Sequence, residues 1–181
     1  MKHISLNKIL HTERLRLRAV ALSDIELVWS ASRVNGFNDG MTWDPPDNKE
    51  DLVAITYKNL KAWIKGTSYV FTSDLNETGT PIGRVAFSST DNPSIWYLGF
   101  WIHPDYWGHG YATEAARAVL DFGFSELGVS QVNVAHAIWN TRSKRVIEKL
   151  GFQFTGENPC GFMKHGKPVA EYEYSMEKPA L

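Results

Sequence analysis

The chain has 181 residues, 43% of them hydrophobic, a formal net charge of −1 and one cysteine. That length suits one domain over residues 1–181 with a sizeable core, and the interspersed charge gives no reason to expect nucleic-acid or membrane-surface binding as a main role. The lone Cys160 excludes an internal disulfide and a cysteine-based metal cage, so no metal site is expected, and it fits a reducing compartment.

The opening Met1-Lys2-His3-Ile4-Ser5-Leu6 lacks the long apolar core of a signal peptide, and no later stretch approaches a membrane span, so a cytoplasmic location is expected. A first strand is predicted over residues 14–20, then a short helix capped by Ser23 and running to about Ser32. The turn-rich segments 35–40 and 44–48 bracket Trp43 and read as loop. Residues 49–65 carry helical spacing through Leu52, Ile55, Leu60 and Ile64, which sets this helix, with Trp63 and the preceding loop, as one wall of a cleft. Strands at 69–73, 82–88 and 95–102 are joined by turns at 76–79 and 91–94 and read as an antiparallel meander. A helix from Thr113 to about Leu127 places Ala116, Val119, Leu120, Phe124 and Leu127 on one stripe. A strand over 131–139, a helix over 140–150, a strand through Phe154 and a closing strand near 169–176 complete the pattern. The strand–helix–strand middle requires parallel neighbours in an otherwise antiparallel sheet, a mixed α/β fold.

Between the aromatic strand and the helix at Thr113 lies Trp107-Gly108-His109-Gly110-Tyr111-Ala112. Two glycines one residue apart permit a tight turn, and the helix start offers unpaired N–H groups and a positive dipole end, which together make an anion cradle. No Lys-Ser or Lys-Thr pair follows and a third glycine is missing, so the loop is neither a Walker loop nor a dinucleotide fingerprint. A glycine pair placed there only for its backbone freedom is the plainer reading of the loop alone.

The loop gains meaning from Asn140-Thr141-Arg142-Ser143 and the following Lys149-Leu150-Gly151-Phe152. In that order and separation the two pieces resemble the GNAT acyltransferase superfamily. Thr12-Glu13-Arg14-Leu15-Arg16-Leu17-Arg18, the loop itself and the Glu171-Tyr172-Glu173-Tyr174 strand narrow the resemblance to the branch that acetylates the amino termini of ribosomal proteins.

The resemblance implies a mostly antiparallel sheet of about seven strands with a splayed central parallel pair and about four helices. It implies acetyl-CoA as acetyl donor, with its diphosphate on the loop formed by Trp107, Gly108, His109, Gly110, Tyr111, Ala112 and Thr113. The pantetheine arm would run along the main chain of Trp101, Ile102 and His103, in contact with Asn140. Gly99 suits a bulge or close backbone approach there, or is a packing glycine. Trp107 stands where the superfamily usually has Gln or Arg, His109 is an exposed loop residue or a phosphate contact, and Arg142, Lys144 and Arg145 meet phosphates or make a solvated helix face.

Ser143 would steady or protonate the leaving thiolate, or is a first-turn helix hydroxyl; Asn140 caps the same helix whether or not it contacts the donor. Strand 94–103 lacks the carboxylate many relatives carry, leaving Glu171, Glu173, Glu157, His103 or a relayed water as general base; Ser143 and Glu171 are the catalytic candidates. Phe37, Trp43, Asp44, Trp63 and Tyr97 are candidate acceptor-side residues, with Asp39, Asp44 and Asp47 suited to a cationic amine or simply to turns. The acceptor implied is a protein N-terminal amine. A small amine such as an antibiotic or polyamine, or a non-catalytic acyl-CoA sensing module, are the rival readings, and the chain is expected as a monomer or homodimer.

Overall fold

The computed structural model describes residues 4–179; residues 1–3, part of the stretch read as lacking a leader, lie outside the described residues. The elements are β1 (Ile9–His11), β2 (Leu15–Ala19), α1 (Ile25–Ser32), α2 (Asp51–Lys65), β3 (Ser68–Leu75), β4 (Pro81–Ser89), β5 (Ile95–Ile102), α3 (Tyr111–Phe122), β6 (Gln131–Ala137), α4 (Thr141–Leu150), β7 (Gln153–Lys164) and β8 (Lys167–Glu177). One eight-stranded sheet runs β1-β2-β3-β4-β5-β6-β8-β7. Among the described residues only β5 and β6 are parallel, and α3 supplies the crossover that a parallel neighbour needs. The mixed α/β fold is the one expected; the strand beyond the anticipated seven is β1, three residues long and too short to carry a periodic signal.

Alternation in β2 buries Leu15 and Leu17 completely and turns Arg16 and Arg18 to the other face. There Arg18 joins Asp24 and Asp74, each at 2.8 Å. Asp24, not Ser23, organises the entry to α1: its carboxylate accepts the Ala21 N–H at 2.9 Å and the Thr72 hydroxyl at 2.7 Å. The buried face of α2 is Leu52, Thr56 and Trp63, while Ile55 and Ile64 are exposed. The helix rolls this way because Trp63 offers the largest apolar area and its N–H finds a partner, the Ile4 carbonyl at 3.0 Å. Trp63 therefore belongs to the core, edge-on to Tyr69 and Phe71, and is not a cleft residue as expected.

Helix α3 begins two residues before Thr113, and from Gly123 the chain continues as a π-helical turn to Leu127, closed by Gly128 at φ 74°. A Cβ on Gly123 would lie 2.5 Å from the Phe87 ring, so this glycine is fixed by helix–sheet contact. The β7–β8 hairpin turns at His165-Gly166, both at positive φ as a two-residue loop of the mirror-image type requires. Most of β7 escapes sequence reading: it is largely exposed, and Pro159 and Gly161 fall in a stretch where its register with β8 shifts.

Candidate active site

Strands β5 and β6 pair only at Ile95↔Gln131, Trp96↔Val132 and Tyr97↔Asn133. Beyond Tyr97 they part, while β5 stays zipped to β4 through Ile102. The His103 N–H donates to Ile82 O of β4 at 2.7 Å, so across the trans peptide the Ile102 carbonyl points to the opposite, open edge. The Trp107 indole N–H takes that carbonyl at 2.7 Å. With His103 turned to β4 and the Ile102 carbonyl engaged, the two-residue repeat leaves Phe100 directing its peptide groups into the gap. Gly99 stays in register with Ala86, so there is no bulge; a Cβ there would make an ordinary 3.9 Å contact with Ala86, and Gly99 lines the cleft instead.

Next to the gap, Gly108 (φ 84°) and Gly110 (φ 81°) take the left-handed conformation that leads into α3. Among the described residues the N–H groups of Gly108, His109, Gly110, Tyr111, Ala112 and Thr113 donate to no protein acceptor. Unpaired main-chain N–H groups at a helix N-terminus are the donors that an anion cradle requires. His109 is exposed, as a loop histidine is, and is held locally: its Nδ1 lies 2.9 Å from Trp107 O and its ring stacks on Tyr111. Trp107 does more than pack, because the Arg142 guanidinium sits 4.2 Å from the centre of its ring and thereby brings a cation from α4 to the loop. Lys144 pairs with Glu148 one turn on, as a solvated helix face does.

At the start of α4 the Asn140 side chain accepts the Ser143 N–H at 3.1 Å, which makes Asn140 the cap. A Cβ on Gly40 would lie 2.9 Å from Asn140 Nδ2, so the loop before α2 closes directly onto the end of β6. Ser143 lines the cleft, and its hydroxyl has no hydrogen-bond partner among the described residues. Glu171, opposite Ala137 in β8, lines the same cleft. Desolvation, then the neighbouring Glu173 charge, raises its carboxyl above the ordinary range. Of Glu157, Glu171, Glu173 and His103, the cleft includes Glu171. Glu173 accepts a hydrogen bond from Asn158, and His103 Nδ1 accepts the Asp105 N–H at the turn after β5. Tyr97 borders the cleft with 41% of its surface exposed, yet protein crowds the ring enough that desolvation is the first cause of its raised pKa, followed by the Glu171 charge.

One cavity of about 470 Å3 runs from the gap, past Ser143 and Glu171, to the loop 40–44 and α2. Its aromatic wall is Trp43 and Trp101, their centroids 6.4 Å apart, with the buried Phe37 edge-on to both. Lys164 of β7 pins this loop: its ammonium is 2.7 Å from Asp44 and donates to the carbonyls of Trp43 and Met41. Lys164 lowers the Asp44 pKa and engages that carboxylate, so the expected attraction of Asp44 for a cationic amine is already met within the chain. Lys164 carried no sequence signal, since nothing local distinguishes it from a hairpin lysine. Arg84, buried in the cleft, was also missed, although a lone charge inside the otherwise uncharged stretch 81–89 was a legible mark.

The described residues contain no helix long and apolar enough to cross a membrane and no cluster of side chains suited to a metal ion. The chain is 26% identical over 173 residues to the uncharacterized N-acetyltransferase p20 of Bacillus licheniformis, covering 93% of this chain and 96% of that one. A GNAT-family acetyltransferase from Bacillus anthracis superposes with a TM-score of 0.84 at 24% identity, over 94% of this chain and 99% of the other. RimL, a ribosomal L7/L12 α-N-protein acetyltransferase solved with coenzyme A, superposes with a TM-score of 0.85 at 16% identity, over 94% and 98%. The Acetyltransferase (GNAT) domain model matches residues 14–153, and with the splayed pair, the glycine cradle and the Asn140-capped helix in place, the chain belongs to the GNAT family of acetyl-CoA-dependent N-acetyltransferases.

Proposed function

We propose that this enzyme moves the acetyl group of acetyl-CoA directly to a protein N-terminal amine, in one domain and without a covalent enzyme intermediate. The observation that carries the reading is a single cavity joining the open β5 edge, Ser143 and Glu171, beside a loop whose N–H groups are unpaired. A diphosphate fits the loop from Trp107 to Thr113 because the donors are main-chain and a side chain at Gly108 would meet nothing within 4 Å. The peptide edge at Phe100 suits the amide groups of the pantetheine arm. The likeness to RimL supports the choice of an N-terminal amine among acceptors.

When bound, the thioester supplies an acetyl carbon open to attack by an amine. Glu171 takes the proton from the attacking ammonium or amine, directly or through one water, and its raised pKa makes it a stronger base than an ordinary carboxylate. Forming the C–N bond breaks the C–S bond, and the Ser143 hydroxyl protonates the departing thiolate, then regains its proton from solvent. Asn140 positions Ser143 by holding the first turn of α4. Trp43 and Trp101 exclude water from the acceptor side and orient the chain that carries the amine.

The test is thiol release from acetyl-CoA in the presence of peptide panels with free amino termini, their blocked counterparts, polyamines and aminoglycosides. Release with free-amine peptides and none with blocked ones is expected. Release confined to the polyamines or aminoglycosides would overturn the N-terminal acceptor.

A further inference from the structure

Arg84 lies on β4 in register with Trp101, and its side chain lines the cleft while being only 6% exposed. Its Nε and Nη2 are buried, with no hydrogen-bond partner among the described residues. These two nitrogens form the side-on fork of a guanidinium, the pair whose parallel N–H bonds match the two oxygens of a carboxylate. The neighbouring charges do not neutralise it. Arg16 and Arg18 engage Asp74, Arg18 also engages Asp24, and Asp24 attracts Arg84 only at a distance, with no ion pair to Arg84 among the described residues, so three guanidiniums stand against two carboxylates. Desolvation brings the Arg84 pKa down to about 10, which still leaves a cation at neutral pH. A buried cation in the wall of a cavity and short of one anion is an incomplete ion pair.

Arg84 also sits at a useful place. Ala86 and Gly99 face each other two residues along the strands, so the subsite lies roughly 7 Å along β4 from the cleft's glycine floor. We propose that Arg84 is the anion subsite of the acceptor cleft, and that the amine acetylated belongs to a molecule carrying a carboxylate a few bonds away. The carboxylate belongs to the side chain of an acidic N-terminal residue, the acceptor class proposed above; a free amino acid as its source would keep the subsite and overturn the protein acceptor. The proposal rests on the acceptor cleft of the preceding section and narrows what enters it.

Two acceptor series test it on the intact protein: peptides beginning with Asp or Glu against the same peptides beginning with Asn or Gln, and free amino acids against their carboxamides. Each is compared for wild type, Arg84→Gln and Arg84→Lys, with coenzyme A affinity and thermal midpoint measured in parallel. The expected result is kcat/KM at least about tenfold higher for the carboxylate member of one series, mostly through KM. That preference should vanish in Arg84→Gln and partly return in Arg84→Lys, at unchanged coenzyme A affinity. The series that discriminates identifies the source of the carboxylate. Equal kcat/KM for carboxylate and amide acceptors in wild type would overturn the subsite while leaving acetyl transfer intact.

Succinate binding by calorimetry, with succinamide as control, keeps the two readings apart if no acceptor in either series is acetylated. Saturable succinate binding lost in Arg84→Gln supports the subsite even then; absence of binding to wild type overturns it.

Discussion

Arg14 and Glu114, 100 residues apart in the chain, meet with Nη2 and Oε2 at 2.6 Å, and Glu114 also receives the Arg14 N–H and the Thr12 hydroxyl. Glu114 stands in the first turn of α3, beside the anion cradle, where an uncompensated carboxylate would repel a diphosphate. Arg14 removes that opposition, and its guanidinium also donates to His109 O and covers the Tyr111 ring. Arg14→Ala is therefore expected to weaken coenzyme A binding several-fold, more at low salt than at high, by calorimetry.

The same pair sets a stability window. Desolvation raises the Glu114 carboxyl, but the hydrogen bonds from Thr12 and Arg14 outweigh it and hold the pKa below the ordinary value. A depressed carboxyl stabilises the fold fully above its unfolded pKa, about 4.3, and that stability is lost as pH falls through the lower folded value. With Arg14 44% exposed and screened, the contribution is about 1 kcal/mol. Melting curves of wild type and Glu114→Gln should differ at pH 7 and converge as pH drops below 4.

Gly108→Asp tests the cradle. Asp tolerates the left-handed backbone better than most residues, and a Cβ at Gly108 meets nothing within 4 Å, so the fold should persist. The carboxylate would stand among the donors proposed for the diphosphate, and coenzyme A affinity should fall by about tenfold or more in a binding titration. Gly110 is a poorer probe, because Arg14 lies 3.6 Å from its Cβ position and would neutralise an acid placed there.

Ser143→Ala should lower kcat by about tenfold or more with little change in coenzyme A affinity, since the Asn140 cap bonds the Ser143 main chain and not its hydroxyl. An unchanged kcat in steady-state kinetics would return Ser143 to the role of a helix hydroxyl.

Glu171→Gln should reduce kcat/KM by about 100-fold and remove the acidic limb of its pH profile. In wild type that limb should lie above the ordinary carboxylate range, because desolvation raises the Glu171 pKa and activity grows as pH climbs through it. By linkage a raised carboxyl favours the fold while protonated and loses that advantage as pH rises through the folded pKa. Glu171→Gln should accordingly melt no lower than wild type at pH 7, which separates a lost base from a damaged fold.

Gly123→Ala should destabilise by about 1–3 kcal/mol in chemical denaturation, because the new methyl meets the Phe87 ring in a packed core.

Local patterning carried the fold class and half of the candidate site. Alternation around Leu15 and Leu17, the helical stripe of α3, the glycines at positions 108 and 110, and the capping Asn140 are each written in a few consecutive residues, whose backbone preferences act at short range. The mixed sheet and the cradle followed from them. Tertiary structure alone decided which way α2 rolls, burying Trp63 and leaving Ile55 outside, because a helix with two apolar faces settles by the area it can bury. It also decided that Lys164 pins Asp44, and that Glu171 of β8 faces the cleft with Ser143 of α4. Those relationships depend on strand register, such as Ala137 opposite Glu171, which pairs residues far apart in the chain and leaves no trace in the spacing of either segment. Arg84 shows both limits at once: its charge among uncharged neighbours was visible, but only the packed sheet reveals a fork of two N–H groups without an acceptor.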